Sequence, residues 1–350
     1  MAISKEPISM SFSTDLLKWY DQHHRHLPWR ANPGKKPNPY HVWISEIMLQ
    51  QTTVPTVIDY FNRFIQKWPS VQALATASLD DILHAWQGLG YYSRARNLHK
   101  CAQTIATEYN GRLPQTEKEL LKLPGIGPYT AAAILSIAFD QPAPVIDGNI
   151  ERILSRLFII NIPISKAKNI LNDKITSLTP HNRPGDFAQA MMDLGSSICT
   201  PKKPNCANCP IQSYCKAYDK NTMENYPIKA DRKPKPKKYA YVYLIYNDKG
   251  QVLMEKRPPK GLLGGMIGFP TSEWTLEKPG KKDLKGLGWS NLCVTSITIQ
   301  HTFTHFHLFL TIVTGRSNQT MGTWVCETEL KDYAIPTLMK KVWKNYKNVE

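Results

Sequence analysis

Long apolar segments are absent from the sequence. No apolar run in the 350 residues approaches the ~20 residues that a membrane-spanning helix needs. The segment Met1 to Met10 also lacks the apolar core of a signal peptide. These absences exclude a membrane-spanning protein and argue against secretion, so we expect the protein to act inside the cell.

Acidic residues are scarce relative to basic ones. Asp and Glu total 28 against 44 Lys and Arg, which gives a formal net charge of +16. Such an excess favours a polyanionic partner, because neutralising phosphates releases counterions from nucleic acid. A generally basic soluble protein would have the same composition, so charge alone leaves nucleic-acid binding a hypothesis.

The seven cysteines do not form the evenly distributed pattern of a disulfide scaffold. Four of them, Cys199, Cys206, Cys209 and Cys215, lie in one short proline-containing segment, separated by six, two and five residues. A compact loop can arrange thiolates around one centre, and thiolates suit either an iron–sulfur cluster or zinc. The spacing leaves both open. The isolated Cys101, Cys293 and Cys326 are interpreted as core residues.

The length predicts two domains, and the apolar periodicity changes along the chain. From Phe12 to about Leu178, apolar residues recur at three- and four-residue steps, as they do between Val54 and Trp68, which predicts helices. A capping box beginning at Thr116 marks one further helix start. The first domain is therefore expected to be all-α.

After Cys215 the helical pattern ends. Residues 216–238 are rich in lysine and proline, which predicts an extended linker. Short β-type runs follow at Tyr239–Tyr246, Gln251–Glu255 and within Val294–Val313. A terminal helix is expected from Pro336 to about Tyr346. The second domain is therefore expected to be α+β.

A glycine-containing turn, Leu123-Pro-Gly-Ile-Gly-Pro-Tyr129, lies between two predicted helices. Gly125 and Gly127 permit tight backbone geometry, and the N-terminus of the helix opened by Pro128 offers N–H groups to a phosphate. Helices often meet through glycine for steric reasons alone. Together with the net charge and the cysteine segment, the turn favours binding of a DNA backbone.

Two carboxylates stand in contexts that suit catalysis. Glu46 lies among apolar residues of Val42–Gln51, where partial desolvation raises the pKa of a carboxyl and suits it to act as a general acid. A glutamate on the polar face of an amphipathic helix is the competing interpretation. Asp147 precedes a helix expected over Gly148–Phe158 and is a natural N-cap, kept ionised by N–H donors. An acid paired with an ionised carboxylate is the arrangement that cleaves glycosidic bonds.

These segments together resemble the helix-hairpin-helix DNA glycosylase superfamily, which includes endonuclease III. The narrower resemblance is to MutY-type adenine DNA glycosylases, and it covers nearly the whole chain. It is carried by Leu27–Arg30, Trp43–Thr52, Gln87–Arg96 and Gly264–Pro270. The resemblance implies a base-excision-repair hydrolase that removes adenine mispaired with 8-oxoguanine, and also with guanine, from double-stranded DNA. It further implies a monomer that acts in the bacterial cytoplasm with the chromosome, or in the nucleus or mitochondria of a eukaryote.

The domain organisation follows from the same resemblance. Residues 1–215 are expected to form a helix-hairpin-helix glycosylase domain whose four clustered cysteines hold a [4Fe–4S] cluster. Residues 239–350, beyond the linker, are expected to form a Nudix-like domain that reads 8-oxoguanine. The glutamate-rich metal-binding helix of Nudix hydrolases is absent from Thr271–Pro279, so this domain is not expected to hydrolyse nucleotides.

The catalytic roles are carried over residue by residue. Glu46 matches the acid that protonates adenine at N7 and later helps to activate water, and Asp147 matches the carboxylate that stabilises the sugar intermediate. Tyr129 and Asn149 match residues that complete the catalytic site. Endonuclease III relatives have a lysine at position 129, and a phenol cannot form the Schiff base that leads to strand cleavage. The resemblance therefore implies a monofunctional glycosylase. Some bacterial relatives carry a lysine where this chain has Glu151, which should weaken trapping of the abasic product.

The DNA-contact residues also come from the resemblance. Gln51 matches a wedge beside the lesion pair, Tyr91 matches a side chain that intercalates next to 8-oxoguanine, and Arg30 and Gln189 match positions lining the adenine pocket. The turn Phe303-Thr-His305 matches a lesion-sensing Phe-Ser-His turn, with Thr304 in place of serine. The remaining expected contacts are Thr52, Leu89, Gly125 and Gly127.

Three alternatives remain open at this point. The first is a bifunctional glycosylase/lyase of the endonuclease III type, against which Tyr129 and the second domain argue. The second is a thymine-mismatch glycosylase of the same superfamily. The third is a catalytically silent DNA-binding module whose cluster senses redox state.

Overall fold

The computed structural model describes residues 8–230, 234–258, 261–284, 288–319 and 322–348. The chain forms two compact units, one made of residues 1–76 and 97–231 and the other of residues 77–96 and 232–350. In the described ranges, no helix combines the length and the apolar character needed to cross a membrane. The fold class expected from the sequence, a helical domain followed by an α+β domain, is confirmed.

The helices up to residue 219 are short and connected by loops and single turns. They are α1 (Ile8–His23), α2 (Pro39–Leu49), α3 (Val54–Lys67), α4 (Val71–Thr76), α5 (Leu79–Ala85), α6 (Ser93–Glu108), α7 (Glu117–Leu120), α8 (Pro128–Ala133), α9 (Gly148–Phe158), α10 (Lys168–Leu178), α11 (Pro184–Ser197) and α12 (Lys216–Asp219). Single 3₁₀ turns occur at Ile164–Lys166, Cys206–Asn208, Gln212–Tyr214 and Met223–Asn225.

Apolar patterning explains which helices lie inside the first unit. Helix α3 buries Val57, Phe61 and Phe64 along one stripe, as the periodicity predicts. Helix α2 is buried over most of its surface, from Tyr40 to Met48, and is therefore a central helix of this unit. The central position of α2 explains why Glu46 is removed from solvent.

The helix that begins at Pro128, as the sequence predicts, changes its winding part-way. Helix α8 continues as a π-helical turn over Ile134–Ala138. Helix α11 packs directly on this turn, since a Cβ at Gly185 would lie 2.5 Å from the carbonyl oxygen of Ser136. Periodicity along the sequence does not reveal this close approach, because it depends on a second helix.

The predicted linker of residues 216–238 is partly structured. It contains α12 and the turn at Met223–Asn225, and the N–H of Ile164 donates to the carbonyl of Ile228 at 3.0 Å. The described residues 216–230 group with the helical unit. Residues 231–233, which the expected linker includes, lie outside the described residues.

The second unit is built on a mixed sheet with α13 (Thr337–Lys347) on one face. Its strands are β1 (Lys237–Tyr246), β2 (Val252–Lys256), β3 (Ile267–Gly268), β4 (Ser290–Thr302), β5 (His307–Arg316) and β6 (Thr323–Val325). The order is β3-β2-β1-β5-β4, with β6 paired to β2. Strands β1 and β5 are parallel, from the pair Lys237 and His307 to the pair Tyr246 and Arg316, and the other pairings are antiparallel. Further 3₁₀ turns lie at Lys281–Leu284 and Glu327–Asp332.

Both faces of the central strand β1 are covered. Ala240, Val242 and Leu244 belong to the apolar cluster that also contains Leu338 and Met339 of α13. The alternate residues of β1 pack in a separate cluster on the opposite face. This accounts for the nearly continuous apolar run of β1, since a strand buried on both faces does not alternate.

The segment 77–96 interrupts the helical unit in sequence and groups with the second unit. The side-chain amide of Gln87 donates to the carbonyls of Tyr333 and Ile335 at 3.1 and 2.9 Å. Asp80 pairs with Lys256 at 3.1 Å, and the Arg96 guanidinium donates to the carbonyl of Gly264. The sequence-based division at residues 215 and 239 did not anticipate this grouping, which depends on pairings between residues far apart in the chain.

Candidate active site

A cavity of about 610 Å³ lies within the helical unit, and the two carboxylates singled out in the sequence both line it. We call it the carboxylate cavity. Eight residues of its lining were expected to act in catalysis or recognition: Arg30, Glu46, Gln51, Thr52, Tyr129, Asp147, Asn149 and Gln189. The structure therefore brings together residues that lie up to 159 positions apart, counting from Arg30 to Gln189.

Glu46 extends from the buried helix α2 and is only 6% exposed. Burial raises the pKa of its carboxyl from an ordinary value of 4.5 to about 7. The hydrogen bond from Tyr129 and the charge of Arg30 oppose this rise, while the charge of Asp147 adds to it. Glu46 is therefore poised to hold and release a proton near neutral pH.

Tyr129 stands at the start of α8, directly after the turn that contains Gly125 and Gly127. Its hydroxyl donates to Oε2 of Glu46 at 2.8 Å. Burial, followed by the charge of Glu46 and that of Asp147, holds the pKa of Tyr129 well above its ordinary value. The side chain is therefore a neutral phenol that orients the Glu46 carboxyl.

The turn before Tyr129 requires glycine at one position. Gly125 has a φ of +81°, and a Cβ added there would lie 2.8 Å from Cβ of Asn97. Gly127 is the N-cap residue of α8 and has no close neighbour at its Cβ position. Neither glycine lines the carboxylate cavity, and their expected contact with DNA stays a prediction.

Asp147 caps α9 as the sequence predicts. Its Oδ1 accepts the N–H groups of Asn149 and Ile150 at 2.9 and 2.8 Å, and its Oδ2 accepts the side-chain amide of Asn149 at 2.9 Å. Three donors and a helix N-terminus surround the carboxylate, which is a favourable environment for negative charge. The side chain is thus held in one orientation at the cavity.

Asn149 also connects the cavity to the cysteine segment. Its side-chain oxygen accepts from Arg152 at 2.9 Å. The same Arg152 donates to the carbonyls of Gly195 and Cys199 at 2.6 and 2.7 Å. A continuous series of hydrogen bonds therefore runs from Asp147 to the backbone of the first clustered cysteine.

The wall of the carboxylate cavity contains a cluster that sequence reasoning missed. Asp193 of α11 accepts the backbone N–H and Nε of Arg25 at 3.0 and 2.6 Å and Nη1 of Arg30 at 2.8 Å. Its side chain is 1% exposed. A carboxylate within the apolar run of α11 was the available signal, similar to that of Glu46 in α2. Its partners are more than 160 residues away and could not be identified from spacing.

Gln51 and Thr52 follow the C-terminus of α2 at the rim of the carboxylate cavity. Gln51 is exposed and has a φ of +58°, a strained value for a residue other than glycine. Gln189, in contrast, is 7% exposed, and its amide donates to the carbonyl of Gly185 at 3.3 Å. The strained backbone of the exposed Gln51 is a feature that is common at functional sites.

The four clustered cysteines line one small cavity. Among the described residues, no three His, Cys, Asp or Glu side chains are arranged to hold a single metal ion. The buried guanidinium of Arg156 donates to Sγ of Cys199 at 3.2 Å and to the carbonyl of Thr200 at 2.8 Å. Thiols set around a hollow beside a buried cation fit an anionic multi-atom cluster better than one zinc ion.

Comparisons with known proteins agree with this geometry. Residues 44–176 match the HhH-GPD superfamily of base excision DNA repair proteins, residues 199–215 the iron–sulfur binding domain of endonuclease III, and residues 241–345 the NUDIX domain. The adenine DNA glycosylase of Rattus norvegicus is 37% identical over 96% of this chain and 78% of the relative. That of Buchnera aphidicola subsp. Baizongia pistaciae is 41% identical over 75% of this chain and 74% of the relative. The chain belongs to the adenine DNA glycosylase family.

Solved structures support the fold of the helical unit. A thermostable thymine-DNA glycosylase superposes with a TM-score of 0.55 at 29% identity, over 61% of this chain and 97% of that one. An endonuclease III trapped on DNA superposes with a TM-score of 0.51 at 24% identity, over 63% of this chain and 99% of that one. As a member of the adenine DNA glycosylase family, the chain is a DNA glycosylase, a hydrolase, and it carries a [4Fe–4S] cluster.

The residues expected to read the lesion lie in the second unit. Tyr91 has a φ of +46°, is 49% exposed, and its hydroxyl lies 3.0 Å from Oγ1 of Thr304. Thr304 and His305 are exposed in the turn 303–306, whereas Phe303 packs against Trp274. These expected lesion contacts are thus brought together, except Leu89, whose side chain is buried beneath the surface of this unit.

Proposed function

We propose that this adenine DNA glycosylase family member excises adenine mispaired with 8-oxoguanine, and also with guanine, from double-stranded DNA as a monomer, leaving an abasic site. Two observations support the substrate class. The curated relatives are adenine DNA glycosylases, and the carboxylate cavity is large enough for an extruded nucleobase. A base inside the duplex stack cannot reach such a cavity, so the adenine must be flipped out.

Glu46 supplies the proton for bond cleavage. Adenine is a poor leaving group as an anion, and protonation at N7 makes its departure easier. Because burial brings the pKa of the Glu46 carboxyl to about 7, a substantial fraction is protonated at physiological pH. After cleavage the resulting carboxylate can accept a proton from the water that attacks the sugar.

Asp147 stabilises the positive charge that develops on the sugar as the bond breaks. Its carboxylate cannot move far, because three N–H donors and the N-terminus of α9 hold it. A fixed negative charge beside the reaction centre favours an oxocarbenium-like transition state over the neutral ground state. Cys199, Cys206, Cys209 and Cys215, in the loop that follows α11, would hold the [4Fe–4S] cluster through their thiolates.

The side chain at position 129 makes the enzyme monofunctional. The Tyr129 phenol donates a hydrogen bond to Glu46 and offers no amine for Schiff-base formation. Of the other residues that line the carboxylate cavity, none in the described ranges is a lysine. Base release should therefore precede strand breakage, and breakage should need alkali.

Recognition of the opposite base is assigned to Tyr91 and the turn 303–306. Their neighbouring hydroxyls can contact the N7–H or O8 that distinguishes 8-oxoguanine from guanine. The exposed ring of Tyr91 can stack on a base in an opened duplex, which contributes about 1–3 kcal/mol per base in single-strand systems.

The single observation that carries this proposal is the buried, protonatable Glu46 hydrogen-bonded to Tyr129 in a cavity shared with Asp147. The test is release of adenine from a duplex with one A:8-oxoguanine pair, using protein of verified iron content. Parallel duplexes carry A:G, A:T and G:T pairs, and each reaction is analysed with and without alkali.

The expected result is adenine release from A:8-oxoguanine and A:G duplexes, with strand breaks appearing only after alkali. Strand breaks without alkali would indicate a lyase, and preferential processing of G:T would indicate a thymine-mismatch enzyme. Retained lesion binding without release of any base would indicate a silent DNA-binding module.

A further inference from the structure

A charge cluster made of Arg25, Arg30 and Asp193 forms part of the wall of the carboxylate cavity, and the Arg25 side chain is 32% exposed. Both arginines line the cavity, whereas Asp193 lies behind them. The side chains of Asp193 and Arg30 are 1% and 7% exposed. Arg30 and Asp193 interact strongly, because little water screens two charges that are both buried, whereas solvent weakens the pairing of Asp193 with Arg25.

The three residues come from separate parts of the chain. Arg25 and Arg30 belong to the loop between α1 and α2, and Asp193 belongs to α11. Both carboxylate oxygens of Asp193 are used: Oδ1 accepts from Nε of Arg25, and Oδ2 accepts from the backbone of Arg25 and from Nη1 of Arg30. The geometry ties the loop to α11 and gives the Arg30 guanidinium one orientation.

The charge of Arg30 also acts on Glu46. The groups that influence Glu46 are Tyr129 from α8, Asp147 from the N-terminus of α9 and Arg30 from the loop. Of these, Arg30 and Tyr129 favour the ionised carboxylate, while Asp147 favours the protonated acid. Helix α11 contributes Gln189 and Met192 to the lining, with Asp193 behind. Asp193 is thus the acidic partner of Arg30, a cation that acts on Glu46, and also of Arg25, which lines the same cavity.

We propose that Asp193 is a positioning residue of the adenine site, which orients Arg30 along the cavity wall and offsets part of its positive charge, so that Glu46 can remain protonated. This inference rests on the proposed function. Without Asp193, the uncompensated guanidinium would stabilise ionised Glu46, either from its present position or after moving towards it. Both outcomes reduce the fraction of enzyme that carries the catalytic proton at neutral pH.

Asp193→Asn tests the proposal, because it removes the charge and keeps the shape. The single-turnover rate of adenine release is measured against pH on the A:8-oxoguanine duplex. On the alkaline side of the profile, where the rate falls with rising pH, the fall is expected at lower pH than in the unsubstituted protein. Each half pH unit of displacement of this alkaline limb lowers the rate within it about threefold. The matched control is Asp186→Asn, which removes another carboxylate of α11 that pairs with Arg183 outside the cavity lining.

Two further variants separate charge from structure. In Asp193→Asn/Arg30→Gln, the cation is also gone, so the alkaline limb should return to the original pH or above it even if the rate stays low. Arg30→Gln alone should move the alkaline limb to higher pH. This variant tests whether the Arg30 charge acts on Glu46 even if Asp193→Asn fails to fold. Equal slowing at every pH by Asp193→Asn, or no movement of the limb in Arg30→Gln, would overturn the proposal.

A second readout does not depend on base release. The infrared band of the protonated Glu46 carboxyl, assigned by its loss in Glu46→Gln, can be titrated in each variant. A lower midpoint in Asp193→Asn supports the charge argument even if the unsubstituted protein releases no adenine, which would count against the proposed function alone. An unchanged midpoint overturns the inference whatever the activity.

Discussion

The carboxylate cavity and the turn 303–306, which we propose as the lesion-reading turn, face different physical requirements. Glu46 is 6% exposed, and Tyr91 is 49% exposed. Protonation chemistry near neutral pH requires a carboxyl that water does not stabilise, and helix α2 provides this by being buried over most of its surface. Reading a base in DNA requires side chains that the base can reach. One region therefore depends on burial and the other on exposure, and substitutions should affect them differently.

The largest expected effect is on catalysis in the cavity. Glu46→Gln removes the proton donor and should lower the rate of adenine release by about 10²–10⁴-fold, the usual range for a general acid. Binding to the A:8-oxoguanine duplex should be retained, because the lesion-reading turn is unchanged. Single-turnover kinetics and a binding titration measure the two separately. Glu108→Gln, at the exposed end of α6, is the matched control, and equal rates for both variants would remove Glu46 from the mechanism.

The same substitution should stabilise the protein at high pH. The pKa of Glu46 is about 7 when folded and 4.5 in its ordinary state, so the folded chain binds the proton more tightly. Stability from this group is thus fully present below pH 4.5 and is lost as the pH rises through 7. Glu46→Gln should therefore increase the free energy of unfolding by about 3 kcal/mol at pH 8 and change it little at pH 4. Denaturant unfolding at both pH values checks this, and an equal effect at both would contradict it.

A smaller effect is expected from a substitution in the exposed turn 303–306, and it should change the preference between A:8-oxoguanine and A:G duplexes. Thr304→Val removes the hydroxyl beside Tyr91 while keeping the shape. Loss of one hydrogen bond of about 1 kcal/mol should reduce the preference for A:8-oxoguanine over A:G about fivefold. The pH dependence of base release should not move. Competition between the two duplexes measures the preference, and Thr304→Ser should restore it. A displaced pH profile in Thr304→Val would show that the two regions are not separable.

The smallest effect is a displacement of the pH profile by Tyr129→Phe. The hydrogen bond from the Tyr129 hydroxyl lowers the pKa of Glu46, so removing it should raise that pKa further. The alkaline limb of the rate profile should move to higher pH, opposite to the direction expected for Asp193→Asn. Rates of adenine release measured across pH 5–9 would test this. An alkaline limb that moves to lower pH would mean that the Tyr129 hydroxyl does not act by lowering the pKa of Glu46.

Local features of this chain were predictable because their causes are local. The N-cap at Asp147 and helix α9 follow from the residues between Pro144 and Phe158, and the apolar stripe of α3 defines its buried face. The cysteine spacing indicated a metal centre but left zinc and a cluster open. The sequence did not decide whether Glu46 is buried, because a glutamate in an apolar segment can also lie on the exposed face of an amphipathic helix. Only the packing of α2 against its neighbours resolved this.

The sequence by itself determined the helix and strand segments, the capping residues, the cysteine loop and the positive charge, because each depends on neighbouring residues or composition. The tertiary structure decided which distant residues are in contact. Tyr129 bonds to Glu46, Asp193 bonds to Arg25 and Arg30, and the segment 77–96 groups with the second unit. Such contacts join residues far apart in the chain, and neither periodicity nor spacing encodes the distance between them. The proton affinity of Glu46 depends on those contacts, so it belongs to the folded protein.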